Sequence, residues 1–332
     1  MAKLRIGIVG TGFIAKYHFD GFRNNPEAEV VGMCTHSNQE KLHQMCNQWG
    51  IKPYPNFDAM AEDPKVDALV IGSVNHEHFP QIMKAIALGK PTLVEKPVVT
   101  DFGHLEQIRE QAAKKGVVVF PGHNFVYRKA AQEAKKIAGS GKLGRITYAS
   151  FISTHTISTE HQRGWRSKLA LGTGGALIDS GHHQVYQSLY LRGMPQKIQA
   201  FKSRLVLKEM EGEDIAQINL LYPDGSLGCI MQSWTSNFGE GINGIRILGD
   251  RGRILITDAL YFNGEMVEPD ADYANSFVNQ ARAFTDCVFK GIPPVSDLED
   301  VRNTLKLIFG AYESSEREAV VNTGDIQAIY KP

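Results

Sequence analysis

A lysine set between an acid and a proline, Glu95-Lys96-Pro97, follows the apolar run Thr92-Leu93-Val94. Far along the chain, Gly174-Gly175-Ala176-Leu177-Ile178-Asp179-Ser180-Gly181-His182-His183 places a carboxylate close to two imidazoles. Lysine, aspartate and histidine are the groups from which proton-handling sites are assembled, usually from distant parts of a chain. An imidazole exchanges a proton near neutrality, and a lysine ammonium stabilises negative charge developing on a substrate oxygen. Oxidising a secondary alcohol needs the hydroxyl proton removed as hydride leaves; reducing a ketone needs the reverse. Spacing alone does not choose between His182 and His183, because positions three and four residues on both face Asp179 in a helix. Periodicity sorts them: Ile178, His182, Val185 and Leu189 fall on an apolar stripe, and Asp179, His183 and Tyr186 on a polar one.

A hydride carrier is implied at the start of the chain. Ile6-Gly7-Ile8-Val9-Gly10-Thr11-Gly12-Phe13-Ile14-Ala15 is a strand followed by G-x-G-x-x-A and a helix. Gly10 permits the tight turn, Gly12 lets backbone approach a pyrophosphate, and Ala15 lets the helix lie close to the sheet. Free N–H groups at the helix start bind the anion. At the end of the second strand an NAD enzyme usually carries an acid for the ribose 2′-hydroxyl. Here the sequence is Cys34-Thr35-His36-Ser37, with Glu40 the first acid and Lys41 beside it. Hydroxyls and a nearby cation accept a 2′-phosphate, so the cofactor is expected to be NADP in preference to NAD.

The elements that must position these residues change character along the chain. Strand-like runs at 4–9, 30–34, 68–71, 92–94 and 117–120 alternate with amphipathic helical segments at 15–24, 39–49, 78–88 and 102–115. That alternation predicts a doubly wound parallel sheet, an α/β Rossmann domain over residues 1–122. Residues 123–332 read as an α+β domain for substrate binding and oligomerisation. A helix at 129–138 is followed by strands at 145–153, 197–207, 215–222, 227–234, 244–248 and 252–257, with helices at 175–191, 275–290 and 298–316. Turn residues between the strands predict a large, mostly antiparallel open sheet. With few helices to cover it, another subunit is the expected cover, as a homodimer or homotetramer. Phe277, Phe284 and Val288 have the spacing of helix core packing.

At 332 residues the chain suits two domains of roughly 150 residues each. Lys+Arg 36 balance Asp+Glu 36, which favours neither nucleic acid nor an anionic membrane as partner. Cys34, Cys46, Cys229 and Cys287 are scattered without a C-x-x-C pair, as in a reduced cytoplasmic chain. The N-terminus runs directly into a strand, and no apolar segment is long enough to span a bilayer, so a cytoplasmic location is expected.

Taken in order, these strings resemble the glucose–fructose oxidoreductase/inositol dehydrogenase family, Gfo/Idh/MocA, through nearly the whole chain. The resemblance covers the glycine-rich turn, Asn75-His76-Glu77-His78, Ala87-Leu88-Gly89-Lys90, Glu95-Lys96-Pro97, Gly164-Trp165-Arg166, Gly174-Gly175-Ala176, and Asp179 with His183 four residues on. It ends with the helix around Phe284 and Ser296-Asp297-Leu298-Glu299-Asp300. It implies a nicotinamide-dependent dehydrogenase or reductase acting on a sugar, cyclitol or related polyhydroxylated small molecule. It also implies that Lys96, Asp179 and His183 form the reaction centre, which selects His183 over His182. The cofactor contacts expected are Gly10, Gly12, Phe13, Ile14, Thr35, Ser37, Ser73, Asn75, His78, Glu95, Lys96, His123, Trp165 and Arg166. Two other readings share the fold: a glycosidase working by transient oxidation with bound NAD, and a dinucleotide-binding regulator without activity. Retention of both Lys96 and His183 counts against the regulator.

Other residues are weaker. His76 and His78 flank Glu77, but no further ligands stand at a metal-site spacing, so no metal is expected. Trp165 beside Arg166 reads equally as a cofactor contact or as a surface stacking pair. His123 and Tyr127 follow the fifth strand, and His155 and His161 lie in a polar stretch that is either a substrate loop or exposed.

Overall fold

A computed structural model describes residues 3–236 and 241–326. The chain forms two compact units, residues 1–127 with 273–298, and residues 128–272 with 299–332. The first unit therefore differs from a division at 122/123, because it takes a helix from near the end of the chain.

In the first unit, β1 (Leu4–Val9), β2 (Ala28–Cys34), β3 (Lys52–Pro53), β4 (Ala68–Ile71), β5 (Thr92–Glu95) and β6 (Val119–Gly122) make a parallel sheet of order β3-β2-β1-β4-β5-β6. The short β3 and the helix α3 (Phe57–Ala61) were not legible in the sequence pattern. β4, β5 and β6 are buried throughout, which is why they read as continuous apolar runs rather than alternating ones. The crossover helices are α1 (Phe13–Arg23), α2 (Gln39–Trp49), α4 (Asn75–Ala87) and α5 (Phe102–Lys115). Side chains set their ends: Asn38 accepts from the Lys41 amide and Asp101 from the His104 amide, while Gly50 and Gly116 stop α2 and α5 with φ of 68° and 65°. The late helix α10 (Tyr273–Lys290) packs on α1; Phe284 meets Phe22 and Phe120 at ring-centre distances of 6.0 and 5.6 Å.

The second unit begins with α6 (Lys129–Gly139) and carries a nine-stranded sheet, order β14-β13-β12-β11-β7-β10-β9-β8-β15. Its strands are β7 (Ile146–Thr154), β8 (Lys197–Ser203), β9 (Ile215–Leu221), β10 (Leu227–Ser233), β11 (Gly244–Gly249), β12 (Arg253–Ile256), β13 (Leu260–Phe262), β14 (Glu265–Glu268) and β15 (Val321–Asn322). Every pairing is antiparallel except β7 with β10. Burial alternates along β9 and β10, so one face of the sheet is packed and the other is not.

The expected helix over 175–191 is a correction. Only α9 (His182–Arg192) is regular helix, and residues 173–181 form bends and turns. Glu213 holds the start of this run. Its carboxylate accepts from the Gly175 amide (3.1 Å) and the Leu177 amide (2.8 Å), and its carbonyl accepts from Ala176 (2.8 Å). The regular ladder is interrupted further on, where the Gly181 amide donates to the Ala176 carbonyl (2.8 Å) and the His183 amide to the Ser180 carbonyl (3.2 Å). Short helices α7 (Thr159–Arg163) and α8 (Leu169–Gly172) precede this run, and α11 (Leu298–Arg317) closes the chain's helical content among the described residues. No described helix is long and apolar enough to cross a membrane.

Candidate active site

The dinucleotide turn of the first unit has the geometry its glycines imply. Gly10 sits at φ +100°, and a Cβ there would collide with the Gly72 carbonyl. A Cβ on Gly12 would meet nothing within 4 Å, so space is open where a pyrophosphate must approach. The start of α1 has no side-chain cap and no acid in its first turn, which leaves its amides suited to an anion. These residues fit a dinucleotide. Phe13 is 74% exposed beside the turn, its ring 5.0 Å from Tyr17, and Ile14 is half-buried. At the end of β2 the buried Thr35 hydroxyl accepts from the Ser37 amide at 3.4 Å, and Ser37 itself is exposed.

The lysine string lies at the carboxyl end of β5, where ligands of open parallel sheets bind. Glu95 is buried; its Oε1 is 2.8 Å from His18 Nε2, and its Oε2 accepts from the Lys96 amide at 3.2 Å. His18 was not anticipated, although a histidine on the buried stripe Ala15, His18, Phe19, Phe22 is a recognisable signal for a buried polar pair. The Lys96–Pro97 bond is cis. His78 differs from expectation: its ring is buried, with Nδ1 3.0 Å from the Pro97 carbonyl and Nε2 3.2 Å from the Ser73 carbonyl. Burial holds its pKa below the ordinary value. Its buried ring thus lies between the loop that follows β4 and the loop that follows β5. Ser73 donates to Gln81 (2.7 Å), and Asn75 opens α4. His123 is fully buried beyond β6, where burial first and then the Lys96 ammonium push its pKa down to about 3.

In the second unit Asp179 is the centre of a polar cluster. Arg166 Nε donates to Asp179 Oδ2 at 2.8 Å, and His161 Nε2 lies 3.3 Å from the same oxygen. The Arg166 guanidinium also lies over the Trp165 ring, 4.3 Å from its centre, so the stacking pair exists and the cation faces Asp179. His161 meets the edge of Trp234 at 5.4 Å, and Trp234 Nε1 donates to Ser180 Oγ at 2.8 Å. His183 Nδ1 is 2.8 Å from the Tyr186 hydroxyl; Tyr186 and His182 are buried, and His183 is half-buried. Below the turn, Tyr312 donates to Glu213 Oε1 at 3.0 Å, and burial raises the Glu213 pKa against its hydrogen bonds. Sequence reasoning had no local signal for Glu213, because its partners are backbone amides far along the chain. A cavity of about 320 Å³ opens beside Gly174, Glu213 and Tyr312, and none of the expected site residues lines it.

The described residues hold no cluster of metal-ligating side chains. Residues 4–123 match the oxidoreductase family model with an NAD-binding Rossmann fold, and residues 131–255 match the GFO/IDH/MocA C-terminal domain. Myo-inositol 2-dehydrogenase of Thermotoga maritima is 23% identical over 97% of this chain and 99% of its own. The NAD-dependent scyllo-inositol 2-dehydrogenase of Bacillus subtilis is 24% identical over 99% of this chain and 98% of its own. Among solved structures, the WlbA dehydrogenase of Bordetella pertussis, in complex with NADH and UDP-GlcNAcA, superposes with a TM-score of 0.85 at 23% identity, covering 97% of this chain and 98% of that one. With its glycine-rich turn, its two sheets and its two matched domains, the chain belongs to the Gfo/Idh/MocA family and is an NAD(P)-dependent oxidoreductase acting on CH–OH groups.

Proposed function

We propose that the protein transfers a hydride between NADP, used in preference to NAD, and a secondary alcohol or carbonyl of a sugar, cyclitol or related polyol. Lys96, Asp179 and His183 handle the proton. The observation that carries this reading is the place of Lys96: it follows the carboxyl end of β5, in the sheet whose first turn suits a pyrophosphate. When bound, the nicotinamide supplies the hydride acceptor in one direction and the donor in the other. Lys96 hydrogen-bonds the reacting oxygen and stabilises its developing charge. His183 takes the hydroxyl proton during oxidation and returns it during reduction; the Tyr186 hydroxyl fixes its ring through Nδ1, and Nε2 is the exchanging nitrogen. Asp179, held by Arg166 and His161, supplies negative charge that favours the imidazolium formed on His183.

The preference for NADP rests on Thr35 and Ser37 at the ribose corner, where no carboxylate precedes Glu40. The unpacked sheet face supports assembly with a second copy. Phe201, Gln217, Met231 and Ile152 lie in one cross-strand row on it, and Phe201 is 59% exposed. The cysteines are all unpaired, which supports a reducing, cytoplasmic location.

The test is a screen of aldoses, ketoses and inositols with both cofactors, following absorbance of the reduced nicotinamide. Lys96→Ala and His183→Ala should each cut turnover by about 10²–10⁴-fold while leaving dinucleotide affinity largely unchanged. Near-normal turnover in both variants removes this mechanism, and equal or better use of NAD removes the cofactor preference.

A further inference from the structure

β5 and β6 run parallel, and their last registered pair is Glu95 with Gly122. The next residues on the two strands are Lys96 and His123, so their backbones leave the sheet as neighbours, about 5 Å apart. The approach is close: a Cβ on Gly122 would lie 2.7 Å from the Val94 carbonyl oxygen and 2.9 Å from the Glu95 Cα. His123 is fully buried, its amide donates to the Pro121 carbonyl at 2.9 Å, and its Nδ1 lies 2.8 Å from Ser296 Oγ. Ser296 is itself buried and opens the Ser296-Asp297-Leu298-Glu299-Asp300 string, which the sequence singles out and the mechanism leaves without a role.

A neutral imidazole has one N–H donor and one acceptor nitrogen, and a lysine ammonium has donors only. An N–H turned toward the ammonium would set donor against donor in a buried place, whereas the acceptor lone pair there is favourable. The serine hydroxyl can give or accept, so it tolerates either tautomer and leaves the choice of protonated nitrogen to the other neighbours of the ring. We propose that His123, anchored by Ser296 and carrying its proton on Nδ1, presents Nε2 to the Lys96 ammonium and so positions that ammonium for the reacting oxygen. The near-permanent neutrality that burial and Lys96 impose on His123 agrees with this arrangement. His123 and Ser296 are positioning residues. The inference rests on the reading of Lys96 as the group that meets the substrate oxygen.

Nitrogen-15 NMR of the full chain labelled at histidine reads the tautomer on the resting protein, with His123→Gln used for assignment. The expected spectrum shows His123 neutral with the proton on Nδ1 from about pH 5 to pH 9. In Lys96→Met the form protonated at Nε2 should appear. A wild-type ring protonated at Nε2, or a spectrum unaffected by Lys96→Met, overturns the proposal, and neither result depends on turnover. In the loaded enzyme, Ser296→Ala should lower kcat about tenfold with dinucleotide affinity within about twofold, and Ser296→Thr should restore most of it. An unchanged kcat in Ser296→Ala also overturns it. If Lys96→Ala keeps normal turnover, the reading of Lys96 fails instead, and the NMR result still stands or falls by itself.

Discussion

Tyr312→Phe tests how the turn that carries Asp179 is held. The hydroxyl donates to Glu213 Oε1 at 3.0 Å, both residues are buried, and the same carboxylate accepts from the Gly175 and Leu177 amides. A buried hydrogen bond to a charged group contributes about 1.5–3 kcal/mol, and one between neutral groups about 1 kcal/mol. Burial raises the folded pKa of Glu213 above the ordinary glutamate value, and the Tyr312 bond lowers it part of the way back. A raised carboxyl pKa means the folded state binds the proton more tightly than the unfolded state does. Stability from this group is therefore greatest below the unfolded pKa and falls as pH climbs through the folded one. Removing the hydroxyl raises the folded pKa further, so the variant loses more at pH 8 than at pH 4. We expect a loss of about 2 kcal/mol at pH 8 and about 1 kcal/mol or less at pH 4. Urea unfolding followed by tryptophan fluorescence measures it, since Trp234 is buried in the same unit, with the slope m checked for constancy. A loss below about 0.5 kcal/mol at pH 8, or an equal loss at both pH values, would refute the reasoning.

Gly10→Ala puts a Cβ against the Gly72 carbonyl at φ +100°, and dinucleotide affinity measured by fluorescence titration should fall at least about tenfold; unchanged affinity contradicts the turn's role. Thr35→Asp places a carboxylate at the ribose corner and should move the ratio of kcat/KM values toward NAD by about 10–100-fold. Burial pushes the Cys34 thiol up to about 12 and Cys46 up to about 11, so both stay protonated at pH 8. Iodoacetamide applied to the native protein should therefore modify Cys229, which is partly exposed, well before either; mass spectrometry showing Cys34 labelled first would contradict this.

The elements most legible in the sequence were those whose physics is local. β1 and β4 are apolar runs, α2 and α5 carry their own caps and glycine stops, and the glycine-rich turn states its geometry in its residue types. What stayed hidden depends on partners distant in the chain. Glu213 holds the turn at 175–177 by taking amides some 36 and 38 residues away. His161 joins Asp179 across 18 residues, and His18 joins Glu95 across 77. His78 is buried between the Pro97 and Ser73 carbonyls, a setting that a single strand of sequence does not reveal. The segment around α10 reads correctly as a helix, but no periodicity says which unit it will join.

That placement of α10 sets an order of events during synthesis. The nucleotide-binding unit emerges from the ribosome first but lacks residues 273–298, and until they arrive Phe22 and Phe120 have no Phe284 to pack against. All of the second unit up to residue 272 is translated in the interval. At translation rates of about 5–20 residues per second, the nascent Rossmann sheet waits many seconds with part of its apolar surface uncovered. Of the two units, the one encoded earlier is thus completed only after residues 128–272 have been made.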